Sequence, residues 1–221
     1  MNSFIRFFLF LIVLISKGNL SVDWFLANIE LNNFDFFNGF IERIDKSDIV
    51  WRLIIESLDI DTVLVQSKDN FYYLNHDLYG NENSKGSIFL DYRNSNDLDR
   101  KLLIYGHNSK DKDTVFNKLE NYLSLDFLNS YNKEIRLITM NKESIYEVSN
   151  VLIMESDSFG HMKLVYDDSS WKEYIDFINN NSFYSVGLNY LDNILVLQTC
   201  NYDPDNTFLL IIAKKKEEVF Y

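Results

Sequence analysis

Apolar positions dominate the start of the chain. Phe4–Ile15 reads FIRFFLFLIVLI, interrupted by Arg6 and closed by Lys17. That run is shorter than the roughly 17–25 residues of a membrane-spanning helix. It matches a signal-peptide core in length, yet no Ala-x-Ala-like cleavage site follows. We expect an uncleaved signal anchor over 1–21, amino terminus inside and the remainder exported; a cleaved signal peptide or a buried helix is the alternative. The flanking charges, the amino terminus and Arg6 against Lys17, favour that orientation. From Val22 onward Trp24, Phe25, Ile29, Phe36, Phe37, Phe40, Ile41 and Ile44 recur at three- and four-residue steps between Asp and Glu, and Asp48–Ser57 continues the run. This period predicts one or two helices over 22–58, packed on the domain that follows.

Beyond Asp59 the period shortens. Thr62–Gln66, Phe71–Leu74 and Ser87–Leu90 are rich in β-branched or aromatic residues and separated by Asn, Asp and Gly, which predicts strands. Lys101–Tyr105 is a further strand, ending at Gly106-His107-Asn108. Thr114–Leu128 reads as a helix pair or one broken helix. Glu134–Met140 and Ser144–Met154 form a hairpin over Asn141-Lys142. Ser169–Asn179 is amphipathic with a Ser start, hence a helix. Ile194–Cys200 and Phe208–Ala213 are nearly continuous apolar runs, as in strands buried on both faces. Between them NYDPDN carries the only proline, a turn signal. Seven to eight strands with a few inserted helices make an α+β mixed β-barrel, one domain over 59–221.

Composition narrows the function. Of 221 residues 47% are apolar, enough for a sizeable core, and a net charge of −12 repels phosphate backbones. The longest basic run is Lys214-Lys215-Lys216, so no nucleic-acid partner is expected. The single cysteine, Cys200, makes no internal disulfide and no Cys-based zinc site. His76, His107 and His161 lie far apart with no metal-ligand spacing, and no glycine-rich nucleotide loop is present, so no cofactor is expected. His76, in the turn Asn75-His76-Asp77, and His161, after Phe159-Gly160, read as solvated loop residues.

Export changes what Cys200 means, because an unpaired thiol in an oxidising compartment is a liability unless buried or used. His107 and Cys200 each follow the end of a buried strand, where a rigid scaffold presents reactive groups. A thiol with an imidazole in reach is the minimum equipment for nucleophilic acyl transfer. The competing reading is a structural Cys and a structural His.

Four pieces in order carry a resemblance: NFYYLNHDLYGNENSKGSIFLDYRN (Asn70–Asn94), IYGHN (Ile104–Asn108), LVLQTC (Leu195–Cys200) and IIAK (Ile211–Lys214). Together they resemble the class B sortases, membrane-anchored cysteine transpeptidases of Gram-positive surfaces, from about Asn70 to Lys214. The helix at Ser169–Asn179 falls where that class carries an extra helix before the penultimate strand. The resemblance implies a sortase-type barrel in which Cys200 attacks the Thr–Gly-like bond of a C-terminal sorting signal and forms a thioester. An amine on a cell-wall peptide or a pilin would resolve it, with His107 as general acid/base. It further implies an oxyanion site at the backbone around Thr199 and Cys200, and a substrate groove lined by Asn70, Leu74 and Gln198. Gln198 departs from the small hydroxyl residue often found there. Asn70 and Leu74 read equally well as a turn and a core residue.

One departure matters more. The family places an arginine on the strand after the Cys, and here Phe208 stands at that position. No arginine occurs after Arg136. Asn206 or Thr207, or Arg93 or Arg100 from another loop, are the available substitutes. Asp91 and Arg93 read as a structural ion pair. Two functions follow: an active membrane-anchored transpeptidase of the extracellular face, acting on sorting-signal-bearing surface proteins, or a weak or inactive tethered module that only binds the sorting peptide. A papain-like hydrolase is disfavoured, since its Cys precedes its His.

Overall fold

In the computed structural model, which describes residues 48–95, 99–109, 113–139, 142–155, 163–201 and 207–220, the run IVWRLII folds as strand β1 (Ile49–Ile55). This corrects the helix expected over Asp48–Ser57: the barrel begins at Ile49, inside the segment assigned to helices. A short apolar run is ambiguous by period alone. Here it is decided by two neighbours, because β1 pairs antiparallel with both β2 (Ile60–Val65) and β5 (Glu134–Ile138) and is buried through Trp51–Ile55. Its one charge, Arg52, is neutralised by Asp61 on β2, with Nε donating at 2.6 Å. The expected anchor and the helices before residue 48 lie outside the described residues, as does His161. Among the described residues no helix is long and apolar enough to cross a membrane.

Phe71–Leu74, expected as a strand, is instead a single 3₁₀ turn at Tyr72–Leu74. The Asp69 carboxylate accepts from the N–H groups of Phe71 (2.8 Å) and Tyr72 (2.9 Å), taking the donors a sheet would have used. The other elements follow the predicted order. They are β3 (Phe89–Leu90), β4 (Lys101–Tyr105), a 3₁₀ helix at Val115–Leu123 and α1 (Leu125–Ser130). Then come β6 (Lys142–Glu155), α2 (Asp168–Asn181), β7 (Tyr184–Ser185), β8 (Ile194–Asn201) and β9 (Thr207–Phe220).

The strands run in the order β5-β1-β2-β3-β4-β8-β9-β6-β7, and β5 also pairs with β6. Eight strands therefore close into a barrel, with β7 appended on β6. The pairs β2–β3 and β4–β8 are parallel; the rest are antiparallel. Alternation sends Leu195 and Leu197 of β8, with Leu209 and Ile211 of β9, into the barrel interior. Ile194, Val196, Leu210 and Ile212 face outward into a second apolar layer roofed by α2. That helix is capped by Asp167, whose carboxylate accepts from Ser170 N–H at 2.8 Å. Its buried residues Trp171, Tyr174, Ile175 and Ile178 share one face. Both faces of β8 and β9 are thus covered, as their unbroken apolar runs require.

Candidate active site

β4 and β8 are parallel neighbours in the register Tyr105↔Gln198, so the residues leaving β4 emerge beside Thr199 and Cys200. Three hydrogen bonds stitch the two ends. Gly106 N–H donates to Gln198 O (3.2 Å), Thr199 Oγ1 donates to Gly106 O (2.7 Å), and Asn108 Nδ2 donates to Cys200 O (3.1 Å). His107 and Cys200 are therefore carried on adjoining backbone. Gly106 is obligatory here, because a Cβ would fall 2.5 Å from the Phe116 ring.

His107 Nε2 lies 2.8 Å from the carbonyl oxygen of Leu74. A carbonyl only accepts, so Nε2 carries the proton and donates it, and Nδ1 is the basic nitrogen of the neutral ring. Gly86 makes this contact possible. At its φ of +59°, an added Cβ would meet Tyr73 O at 2.5 Å, Leu74 O at 2.7 Å and His107 Cδ2 at 3.0 Å. The glycine of the SKGS piece is thus a site residue, although sequence reading alone treated it only as part of a motif.

Cys200 is half-buried, and burial pushes its thiol up from the ordinary value. The resting group is therefore a thiol that needs a base. Opposite it on β9 the register partner is Phe208, which packs with the outer apolar layer and is flanked on its other side by Met154 of β6. Asn201 pairs with Thr207; Asn206 lies outside the described residues.

The remaining expected residues make structural contacts. Thr199 is buried, its hydroxyl committed to Gly106 O. Gln198 is buried, on the outward face of β8 with Ile194 and Val196. Leu74 packs on the outer layer while its carbonyl holds His107. Asn70 does not reach the thiol's strand by any contact seen: its amide donates to Asp91 Oδ2 (2.9 Å) and its oxygen accepts from Tyr92 N–H (3.0 Å).

Asp91 is the hub of that region, fully buried. It accepts from Arg93 Nε (2.8 Å) and Nη2 (2.6 Å), and from Tyr105 Oη (2.8 Å). Burial pushes its carboxyl up, but the Arg93 guanidinium and N–H, with Tyr105 and Asn70, outweigh this and hold it below its ordinary value. The pair is structural, as its sequence implied. Arg100 precedes β4 and pairs with Asp168, at the strand end remote from Cys200. The described arginines, Arg52, Arg93, Arg100 and Arg136, each hold a carboxylate.

A cleft of about 290 Å³ opens beside His107. His107, Gly86 and Phe116 line it, with Asp77, Asp113 and Lys85; Cys200 is not among its walls. Lys85 and Asp113 pair at 2.6 Å. Among the described residues no cluster could hold a metal ion.

Comparison with known proteins agrees with this fold. The Sortase domain family matches residues 53–216. The chain is similar to Sortase B of Listeria monocytogenes, 35% identical over 174 residues, covering 75% of this chain and 67% of the relative. Among solved structures it superposes on Clostridium perfringens sortase B with a TM-score of 0.74 at 28% identity, covering 81% of this chain and 99% of that one. A Staphylococcus aureus sortase B–substrate complex matches with a TM-score of 0.71 at 26% identity, covering 82% and 84%.

Proposed function

The chain belongs to the sortase family of cysteine transpeptidases, with class B sortases as its relatives, and on that premise we propose that Cys200 cleaves a C-terminal sorting signal through a thioester and passes the acyl group to an amine. The observation that supports it is the stitched pair of strand ends, which carry Cys200 and His107 on adjoining backbone, with the His107 Nε2 proton already spent on Leu74 O.

The steps follow from that tautomer. His107 Nδ1 takes the Cys200 proton, which burial otherwise retains, and the thiolate adds to the scissile carbonyl. By the family resemblance, backbone N–H groups around Thr199 and Cys200 would stabilise the developing oxyanion. Imidazolium returns the proton to the departing amine as the carbon–nitrogen bond breaks, leaving the thioester. An incoming amine, deprotonated by His107, then displaces the thiolate. The cleft lined by His107 offers that amine a route. Asn70, Leu74 and Gln198 would line the opposite, acyl-side groove. The sequence-level expectation of a membrane anchor over 1–21 makes the barrel an extracellular, surface-protein-processing domain whose acceptor is a cell-wall or pilin amine.

Phe208 supports a second reading. It stands opposite Cys200 in the register, where the family keeps an arginine, and a phenyl group donates no hydrogen bond. On that reading the chain binds a sorting peptide without turning it over. Intact mass after incubation with a panel of sorting-signal peptides separates the two. An acyl adduct that hydroxylamine removes and Cys200→Ala lacks establishes the transpeptidase. Saturable binding with no adduct establishes the binding module.

A further inference from the structure

We propose that Asn108 is a positioning residue: its backbone continues the strand end that carries His107, while its side-chain amide fixes the carbonyl of Cys200. The inference rests on Cys200 being the nucleophile.

Asn108 is 3% exposed. Its Nδ2 donates to Glu120 Oε1 at 2.8 Å and to Cys200 O at 3.1 Å, and its Oδ1 accepts from Asn117 Nδ2 at 2.7 Å. These partners settle the amide's orientation. Turned over, its oxygen would face a carboxylate and a carbonyl, and its NH₂ would face another NH₂. One NH₂ group thus stands between the Glu120 carboxylate and the Cys200 carbonyl, two acceptors that repel each other without it.

The bracket depends on 3₁₀ geometry. With three residues per turn, side chains at i and i+3 eclipse, and runs beyond three or four residues are uncommon. The segment Val115–Leu123 is a long example. It places Phe116, Leu119 and Tyr122 on one buried row. Asn117 and Glu120 form the next row, both meeting Asn108. The helix is anchored in the core by the first row and holds Asn108 with the second. Two elements far apart in sequence, the 3₁₀ helix and the end of β8, are thereby referred to the residue that follows His107.

Such a bracket sets where the nucleophile sits without touching substrate. A displacement of about 1 Å at a reacting group costs about 10²-fold in turnover. Asn108→Asp is isosteric, removes the donor and sets a carboxylate against Glu120 and Cys200 O. The expected result is a loss in kcat for acylation of about that size with KM for the peptide unchanged. Adding Glu120→Gln supplies a new donor to the same network, and the double variant is expected to recover at least part of the lost kcat. If Asn108→Asp does not fold, Asn117→Ala carries the test, since it removes a donor to the amide oxygen and leaves the Asn108 NH₂ group in place; a smaller kcat loss at constant KM is expected. Full kcat in a folded Asn108→Asp or Asn117→Ala chain would overturn the proposal. So would a loss confined to KM, or no recovery in the double variant. A parent chain that forms no peptide adduct at all refutes the nucleophile reading instead. In that case the bracket is read from iodoacetamide: the pH midpoint for alkylating Cys200 should rise in Asn108→Asp, and an unmoved midpoint overturns it.

Discussion

Replacing Gly86 by alanine tests how tightly the fold holds the general base. Gly86 sits at φ +59°, where an L side chain costs about 1–2 kcal/mol. The new methyl would lie 2.5 Å from Tyr73 O and 2.7 Å from Leu74 O, so the turn carrying both carbonyls must move. That movement breaks the 2.8 Å bond from His107 Nε2 to Leu74 O, a further loss of about 1 kcal/mol. The sum, about 2–3 kcal/mol, corresponds to a fall in Tm of roughly 5–10 °C for a domain of this size. Gly187→Ala is the internal control: it too has a positive φ, +83°, but nothing lies within 4 Å of its added Cβ. Thermal unfolding of both variants, with acylation rates of the folded fractions, separates conformational cost from damage to the site. Gly86→Ala should lose about 10²-fold in kcat/KM, and Gly187→Ala should keep the parent rate. Equal unfolding temperatures and equal rates for the two variants would refute the role assigned to the Leu74–His107 contact.

Three further outcomes are expected. Phe208→Arg restores a donor opposite Cys200 and should raise acylation by about 10²–10³-fold, measured as adduct formation per minute; an unchanged rate removes Phe208 as the explanation of weak activity. Trp171→Ala empties the fully buried centre of the α2 roof and should cost about 3–5 kcal/mol in urea unfolding, whereas a loss below about 1 kcal/mol would mean that α2 is not needed to cover the outer layer. Burial raises the folded thiol of Cys200 above its unfolded value, so this stabilising contribution is present in full below the unfolded pKa and is lost as pH rises through the folded one. Alkylation of the native chain should accordingly reach half its maximal rate at a higher pH than in denatured chain, and a lower midpoint would contradict the burial.

Local chemistry wrote much of this fold where one element suffices to satisfy itself. β4 is expected at Lys101–Tyr105 and stands there, and the amphipathic run Ser169–Asn179 falls within α2. The apolar runs of β8 and β9 announced strands covered on both sides, and the ordered motifs announced the family. Other features waited for partners distant in the chain. Ile49–Ile55 reads equally as helix or strand until β2 and β5 flank it, and Phe71–Leu74 turns because Asp69 takes its N–H groups. The closure of β5 on β6, the tautomer imposed on His107 by Leu74, and the hold of Asn108 on Cys200 join residues that no local pattern relates. Periodicity records which face of a segment leaves water, whereas hydrogen bonds between strand ends and loops depend on where the closed barrel brings those ends, and only the tertiary fold sets that.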